Sequence, residues 1–251
     1  MLRGIYTAAA NMAAQEGRVE IAANNLANAD TVGFKRELAL LGSGPTRLLG
    51  IHENQSALHP LNTMTLGNGL WDAATDMRQG ALKETGGKLD LALSGRGFFS
   101  IQTSEGIRFT RSGAFTLNGQ GFISTVDGGL LLGESGNPIY IGNQDFTING
   151  EGQIYNNAGI YIDKLRIVDF PSPEYLNKVG SSYFESSSRS GASFSVVKPN
   201  VFQGYLEDSN LRIVEEMVRM ISALRSYERA QKLVQSYDDT LGRAVNDVGK
   251  V

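Results

Sequence analysis

The chain has 251 residues, 41% of them apolar, and 23 basic against 26 acidic side chains leave a net charge of -3 with a pI near 5.5. That length can bury the core of one large domain or two modest ones, while the balanced charge offers no global attraction to nucleic acid or to an acidic membrane surface. Cysteine is absent, which excludes disulfides, thiolate metal centres and a cysteine nucleophile.

The first residues lack a basic region leading into a continuous apolar run, so no cleaved signal peptide is expected. No uncharged apolar run of about 18 residues occurs either, so no membrane span is expected. The pattern predicts one proline-free helix over residues 3–28. Along it Leu2, Ile5, Ala9, Met12, Glu16, Val19, Ala23 and Leu26 recur at alternating steps of three and four. That spacing puts them on one stripe of a helix, as in a coiled-coil seam. The helix should stop in residues 28–33, where Asn28 and Asp30 compete for backbone hydrogen bonds and Gly33 permits a left-handed exit.

Residues 36–78 read as an extended connector, punctuated by Pro45, Pro60 and several glycines. Residues 79–205 carry the signals of strands and tight turns. Two pieces echo one another, residues 115–123 and 146–154, in the pattern Phe-Thr-aliphatic-Asn-Gly-x-Gly-x-Ile. Asn118-Gly119 and Asn149-Gly150 between strand-like flanks predict two similar hairpins with two-residue type I′ turns. The serine-rich stretch 181–195 reads as an exposed loop.

The second helix is expected after Pro199, with Ser209 or Asn210 as N-cap and Glu215 and Glu216 near its positive end. Its stripe is Ile213, Met217, Met220, Leu224, Tyr227, Gln231, Val234, Asp238, Leu241, Val245 and Val248. At about 37 residues it would be roughly 55 Å long. Such a helix overhangs any β-domain of this size, which favours partners over an intramolecular helical hairpin. The apolar seam gains less than the cost of ordering so much backbone, so the ends are expected to become fully helical only in a polymer.

The fold class is therefore α+β, with long N- and C-terminal helices paired as a coiled-coil-like stem around a central antiparallel, hairpin-based β-domain. The expected divisions are 1–35 and 206–251 for the stem, 36–78 for the connector and 79–205 for the β-domain. The candidate subunit interface is Leu2, Ile5, Ala9, Met12, Val19, Ala23 and Leu26 on the first helix. On the second it is Ile213, Met217, Met220, Leu224, Tyr227, Val234, Leu241 and Val245.

Four motifs in order then carry a resemblance. Residues 23–35, with Asn24, Asn25, Leu26, Asn28, Gly33 and Phe34, closely resemble the N-terminal signature of flagellar rod and hook proteins. Residues 79–99 and 109–115 are similar to that family's entry into its β-domain, and residues 203–210 with 214–217 resemble its C-terminal signature. Asp30 stands where Asn is commoner, and Lys88 where Pro is common. The resemblance implies a structural subunit of the bacterial flagellar basal-body rod, exported unfolded through the flagellar type III apparatus. Its terminal helices would form an inner tube with the β-domain outside. The implied partners are copies of itself, other rod or hook proteins, the export apparatus and the surrounding rings. The implied place is the extracytoplasmic basal body, and both proximal and distal rod proteins share these motifs.

Nothing in the sequence suggests an enzyme or a cofactor. His52 and His59 lack further ligands at metal-binding spacing, no Gly-x-Ser-x-Gly elbow occurs, and Gly95-Arg96-Gly97 leads into an aromatic strand instead of a helix. Asn28 reads as a helix C-cap, whereas Asn24 and Asn25 fit either capping or hydrogen bonds to a neighbouring subunit. The alternative reading is a secreted β-domain binding module held in a closed coiled-coil oligomer.

Overall fold

The structure, a computed structural model, describes residues 2–43, 46–53, 57–65, 68–142 and 145–248. Two helices flank a β-rich middle: α1 spans Leu2–Ala27 and α2 spans Ile213–Val248. Among the described residues no helix is long and apolar enough to cross a membrane. The chain divides into two compact units. One comprises residues 1–26, 37–74 and 213–251, and the other residues 27–36 and 75–212.

In the first unit, the segment expected as an extended connector is built of strands. Glu37–Ser43 pairs with Asn68–Thr75, and Thr46–Glu53 pairs antiparallel with Ala57–Thr65. The register of the second pair shifts between Leu49 and Gly50, next to where Pro60 faces Gly50. An irregularity is where a strand tolerates proline, which cannot donate to the ladder. Gly50 and Pro60 are therefore accommodated within this pair and Gly42 and Gly69 within the other, while Gly44, Pro45 and Gly67 lie outside the described residues.

The fully buried side chains of the two helices are small or polar. Ala8, Ala14, Gln15, Ala22 and Asn25 are buried on α1, as are Glu216, Ala223 and Ala230 on α2. The Asn25 amide donates to Glu216 Oε1 (2.9 Å), and a Cβ placed on Gly4 would come within 2.8 Å of the Tyr237 ring. These two contacts join the end of α1 to the start of α2 and the start of α1 to the far part of α2, so the helices run antiparallel.

The second unit is an antiparallel β-body. Its central strand, Phe98–Thr103, pairs with Gly106–Thr110 along one edge, and with Ile167–Asp169 and Leu130–Leu131 along the other. Because side chains alternate across a strand, Phe99 and Ile101 enter the larger core with Leu91, Leu93, Phe115, Ile123 and Ile154. Phe98 faces the opposite side, against Phe109, Phe170 and Phe184. Those rings meet edge to face, with Phe109 and Phe170 centroids 4.9 Å apart and Phe98 and Phe184 5.6 Å apart, the geometry favoured by aromatic quadrupoles. The serine-rich stretch carries the short strands Tyr183–Glu185 and Phe194–Ser195.

The echoed segments do form two similar hairpins, with Phe115–Leu117 paired to Ile123–Thr125 and Phe146–Ile148 to Gln153–Asn156. Their turns are not type I′. The left-handed residues are Gly121 (φ 88°) and Gly152 (φ 79°), two positions after the Asn-Gly pair. Each asparagine instead accepts backbone N–H bonds through Oδ1: Asn118 from Gln120 and Phe122, Asn149 from Glu151 and Gln153. The N–H of Gly121 returns to the Asn118 carbonyl, and that of Gly152 to Asn149. This is a type I turn followed by a left-handed glycine bulge, and Asn156 with Gly159 (φ 75°) repeats it. Gly152→Ala is expected to cost about 1 kcal/mol and Gly150→Ala less than about 0.5 kcal/mol in urea unfolding. Equal costs at the two positions would restore the type I′ assignment.

Candidate functional site

In the β-body, segments far apart in sequence converge on one carboxylate. Glu207 is fully buried, and its Oε1 accepts from Lys35 Nζ (2.5 Å) and from the Gly80 N–H (2.9 Å). Its Oε2 lies 3.4 Å from Arg111 NH1, and its backbone carbonyl accepts from the Gly33 N–H at 2.7 Å. Lys35 also donates to the Arg78 carbonyl (2.8 Å), and Arg111 to the Gly95 carbonyl (2.6 Å). Burial pushes the Lys35 ammonium below its ordinary pKa, against the opposing pull of Glu207. Burial likewise lowers Arg111, with Glu207 and Asp169 acting in the other direction.

A second tie lies alongside. Asn210, expected with Ser209 as one of two candidate N-caps of α2, has its amide engaged elsewhere, and the helix starts only at Ile213. Its Oδ1 accepts from the Arg36 N–H (2.9 Å), while Nδ2 donates to the carbonyls of Asp76 (2.7 Å) and Arg78 (2.9 Å). Asp76 is held by Arg78 at 2.6 Å and Arg36 at 3.3 Å. The Arg78 hydrogen bonds keep the Asp76 carboxyl below its ordinary range. Phe34, fully buried, is capped by the Lys178 ammonium 3.7 Å from its ring centre. Gly33 takes φ 68°, and a Cβ there would lie 2.3 Å from the Ser112 nitrogen. Gly33, Phe34, Lys35, Gly80, Arg111, Glu207 and Asn210 lie in separate sequence motifs and Arg36, Asp76, Arg78 and Lys178 in none, and their meeting was not expected from the sequence.

In the helical unit, the covered stripe of α1 lies one residue before the expected one. Ile5, Met12, Val19 and Leu26 are half-buried, and Ala9 and Ala23 are exposed. On α2, Met220, Tyr227, Val234 and Leu241 are half-buried, while Ile213, Met217 and Leu224 are exposed. The side chains of Leu2 and Val245 lie outside the described residues. Asn25 is committed within the chain, also exchanging hydrogen bonds with the Glu37 backbone (2.9 Å each way), while Asn24 is exposed. Asn28 follows the last turn of α1 and accepts the Thr31 hydroxyl through Oδ1 at 3.2 Å. Among the described residues no group of three or more His, Cys, Asp or Glu side chains is arranged to hold a metal ion.

The flagellar basal-body rod protein FlgG of Borreliella burgdorferi is 33% identical over 262 aligned residues, covering 98% of each chain. This chain belongs to the flagellar basal-body rod protein family. FlgG of Bacillus subtilis is 30% identical, covering 98% of this chain and 99% of that one, and FlgF of Caulobacter vibrioides is 28% identical over the whole of both. Three family models match in order: the flagella basal body rod protein model over residues 5–35, the flagellar hook protein FlgE/F/G D1 domain over 92–156, and the flagellar basal body rod FlgEFG protein C-terminal model over 203–247. In this rod-family chain, Lys35, Arg111 and Glu207 fall one in each matched segment. The buried ion cluster thus joins parts that the models describe separately.

Proposed function

We infer that this rod-family protein is a non-enzymatic structural subunit of the basal-body rod that polymerises through its terminal helices into a hollow helical drive shaft. The observation carrying this reading is the surface of α2. Val214, Val218 and Ile221 are 71%, 61% and 49% exposed, with Met217 and Leu224 beside them. An apolar helix face of this extent on a single chain calls for a partner. In this reading the coiled-coil-like stem is completed by neighbouring copies that cover the stripes, and the β-body supplies outer contacts. Other rod or hook proteins stack above and below. The subunit reaches its extracytoplasmic place, inside the basal-body rings, through the flagellar export apparatus.

The test is sedimentation velocity and electron microscopy of the full chain over rising concentration. Open helical polymers are expected, growing without a fixed stoichiometry. A closed dimer or trimer at every concentration would instead favour the coiled-coil binding module and sink the rod reading.

A further inference from the structure

The apolar face of α2 continues directly into positive charge. Val218 and Ile221 border a shallow hollow of about 360 Å³ shared with Ser222, Arg225 and Arg229. At 100° per residue, Val214, Val218, Ile221, Arg225 and Arg229 share one stripe, turned away from the buried Glu216, Ala223 and Ala230. On α1, the stripe turned away from its own covered side is Ala9, Ala13, Glu16, Glu20 and Ala23, all exposed. Arg225, Arg229, Glu16 and Glu20 make no ion pair among the described residues. One free stripe therefore presents two cations four residues apart, and the other presents two anions four residues apart. Small alanines on α1 leave room for the α2 aliphatics.

We propose that the outward face of α2 is covered by the outward face of α1 from a second copy of this chain, with Glu20 against Arg225 and Glu16 against Arg229. This rests on the assembly reading above and specifies its partner surface. Copies related by a screw along the helices keep one polarity, so α1 of one copy runs antiparallel to α2 of the next. The charge pairing then sets Ala23 against Ile221 and Ser222. The two faces are different patches of one molecule, so each contact leaves one of each kind free and the array extends.

The pairing also fixes a climb. Within one chain, positions whose numbers sum to 241 lie level, as with Asn25 and Glu216 or Gly4 and Tyr237. The intermolecular pairs, 20 with 225 and 16 with 229, sum to 245. Four residues at ~1.5 Å each displace the neighbour by about 6 Å along the helices, which yields a rising array and not a flat ring.

The experiment uses three full-length variants beside the parent: E16R/E20R, R225E/R229E, and all four substitutions together. Circular dichroism establishes that each is as helical as the parent, and assembly is followed by sedimentation and electron microscopy. Each reversed pair alone should raise the concentration needed for assembly about tenfold, because like charges now face one another. The quadruple variant, and an equimolar mixture of the two double variants, should assemble as the parent does. The differences should shrink in about 1 M salt, where screening acts within about 3 Å. Double variants that assemble normally, or a quadruple variant as impaired as they are, would overturn this pairing while leaving assembly through the helices intact. A parent chain that forms no polymer at any concentration would overturn both.

Discussion

Replacing Glu207 by glutamine is expected to lower the stability of the β-body by about 3–5 kcal/mol, the usual penalty for stripping one partner from a buried ion pair. The carboxylate has no exposed surface and Lys35 only 1%, so water cannot take over the lost role. Arg111, 5% exposed, would be stranded at the same time. A double-mutant cycle separates this from simple loss of packing. If a stranded cation is what costs stability, then K35M added to E207Q should recover part of the loss, because the unpaired ammonium has gone. Equilibrium urea unfolding followed by circular dichroism measures all four corners. Losses that merely add would show that Lys35 and Glu207 act independently.

Gly33→Ala should cost about 3 kcal/mol. A left-handed backbone conformation disfavours any residue with a Cβ by about 1–2 kcal/mol. The new methyl would in addition press on the Ser112 nitrogen at 2.3 Å and the Arg111 carbonyl carbon at 2.5 Å, and displacing packed backbone adds about 1–3 kcal/mol. Gly86 provides the control. Its φ of 71° is nearly the same, yet nothing lies within 4 Å of its Cβ position, so Gly86→Ala should cost only about 1 kcal/mol. Similar melting temperatures for the two variants would mean that backbone conformation alone explains Gly33 and that the close approach is unimportant.

The helices and the hairpins were legible because each rests on a periodicity. Alternating three-four steps marked α1 and α2 to within a residue or so at α1's ends, and the repeated Asn-Gly pattern marked two hairpins. The face of α1 that its own chain covers was not legible, since apolarity points to Ile5, Met12 and Val19 while the most fully covered side chains are Ala8, Ala14, Gln15, Ala22 and Asn25. A small or hydrogen-bonded side chain, such as Asn25 on Glu216, can be fully covered without being apolar, which a count of hydrophobic residues overlooks. The Asn-Gly turns misled for a related reason: the asparagine side chain, by accepting two N–H bonds, selected a longer turn than the dipeptide alone suggests. The strands of 37–74 were hidden under glycine and proline. The cluster around Glu207 was the least visible of all. Charged residues separated by 172 positions read as solvated until the fold brings them together, although Lys35, Arg111 and Glu207 each lay inside a recognisable motif.

The place of Glu207 along the chain also governs timing. A polypeptide delivered N-terminus first presents Lys35 and Arg111 long before their counter-ion, which arrives only after more than four-fifths of the residues have emerged. Until then both cations favour water, and the segments around them have every reason to stay apart. Late closure of this kind would keep a half-delivered molecule pliable and let it set firmly once nearly all of it has arrived.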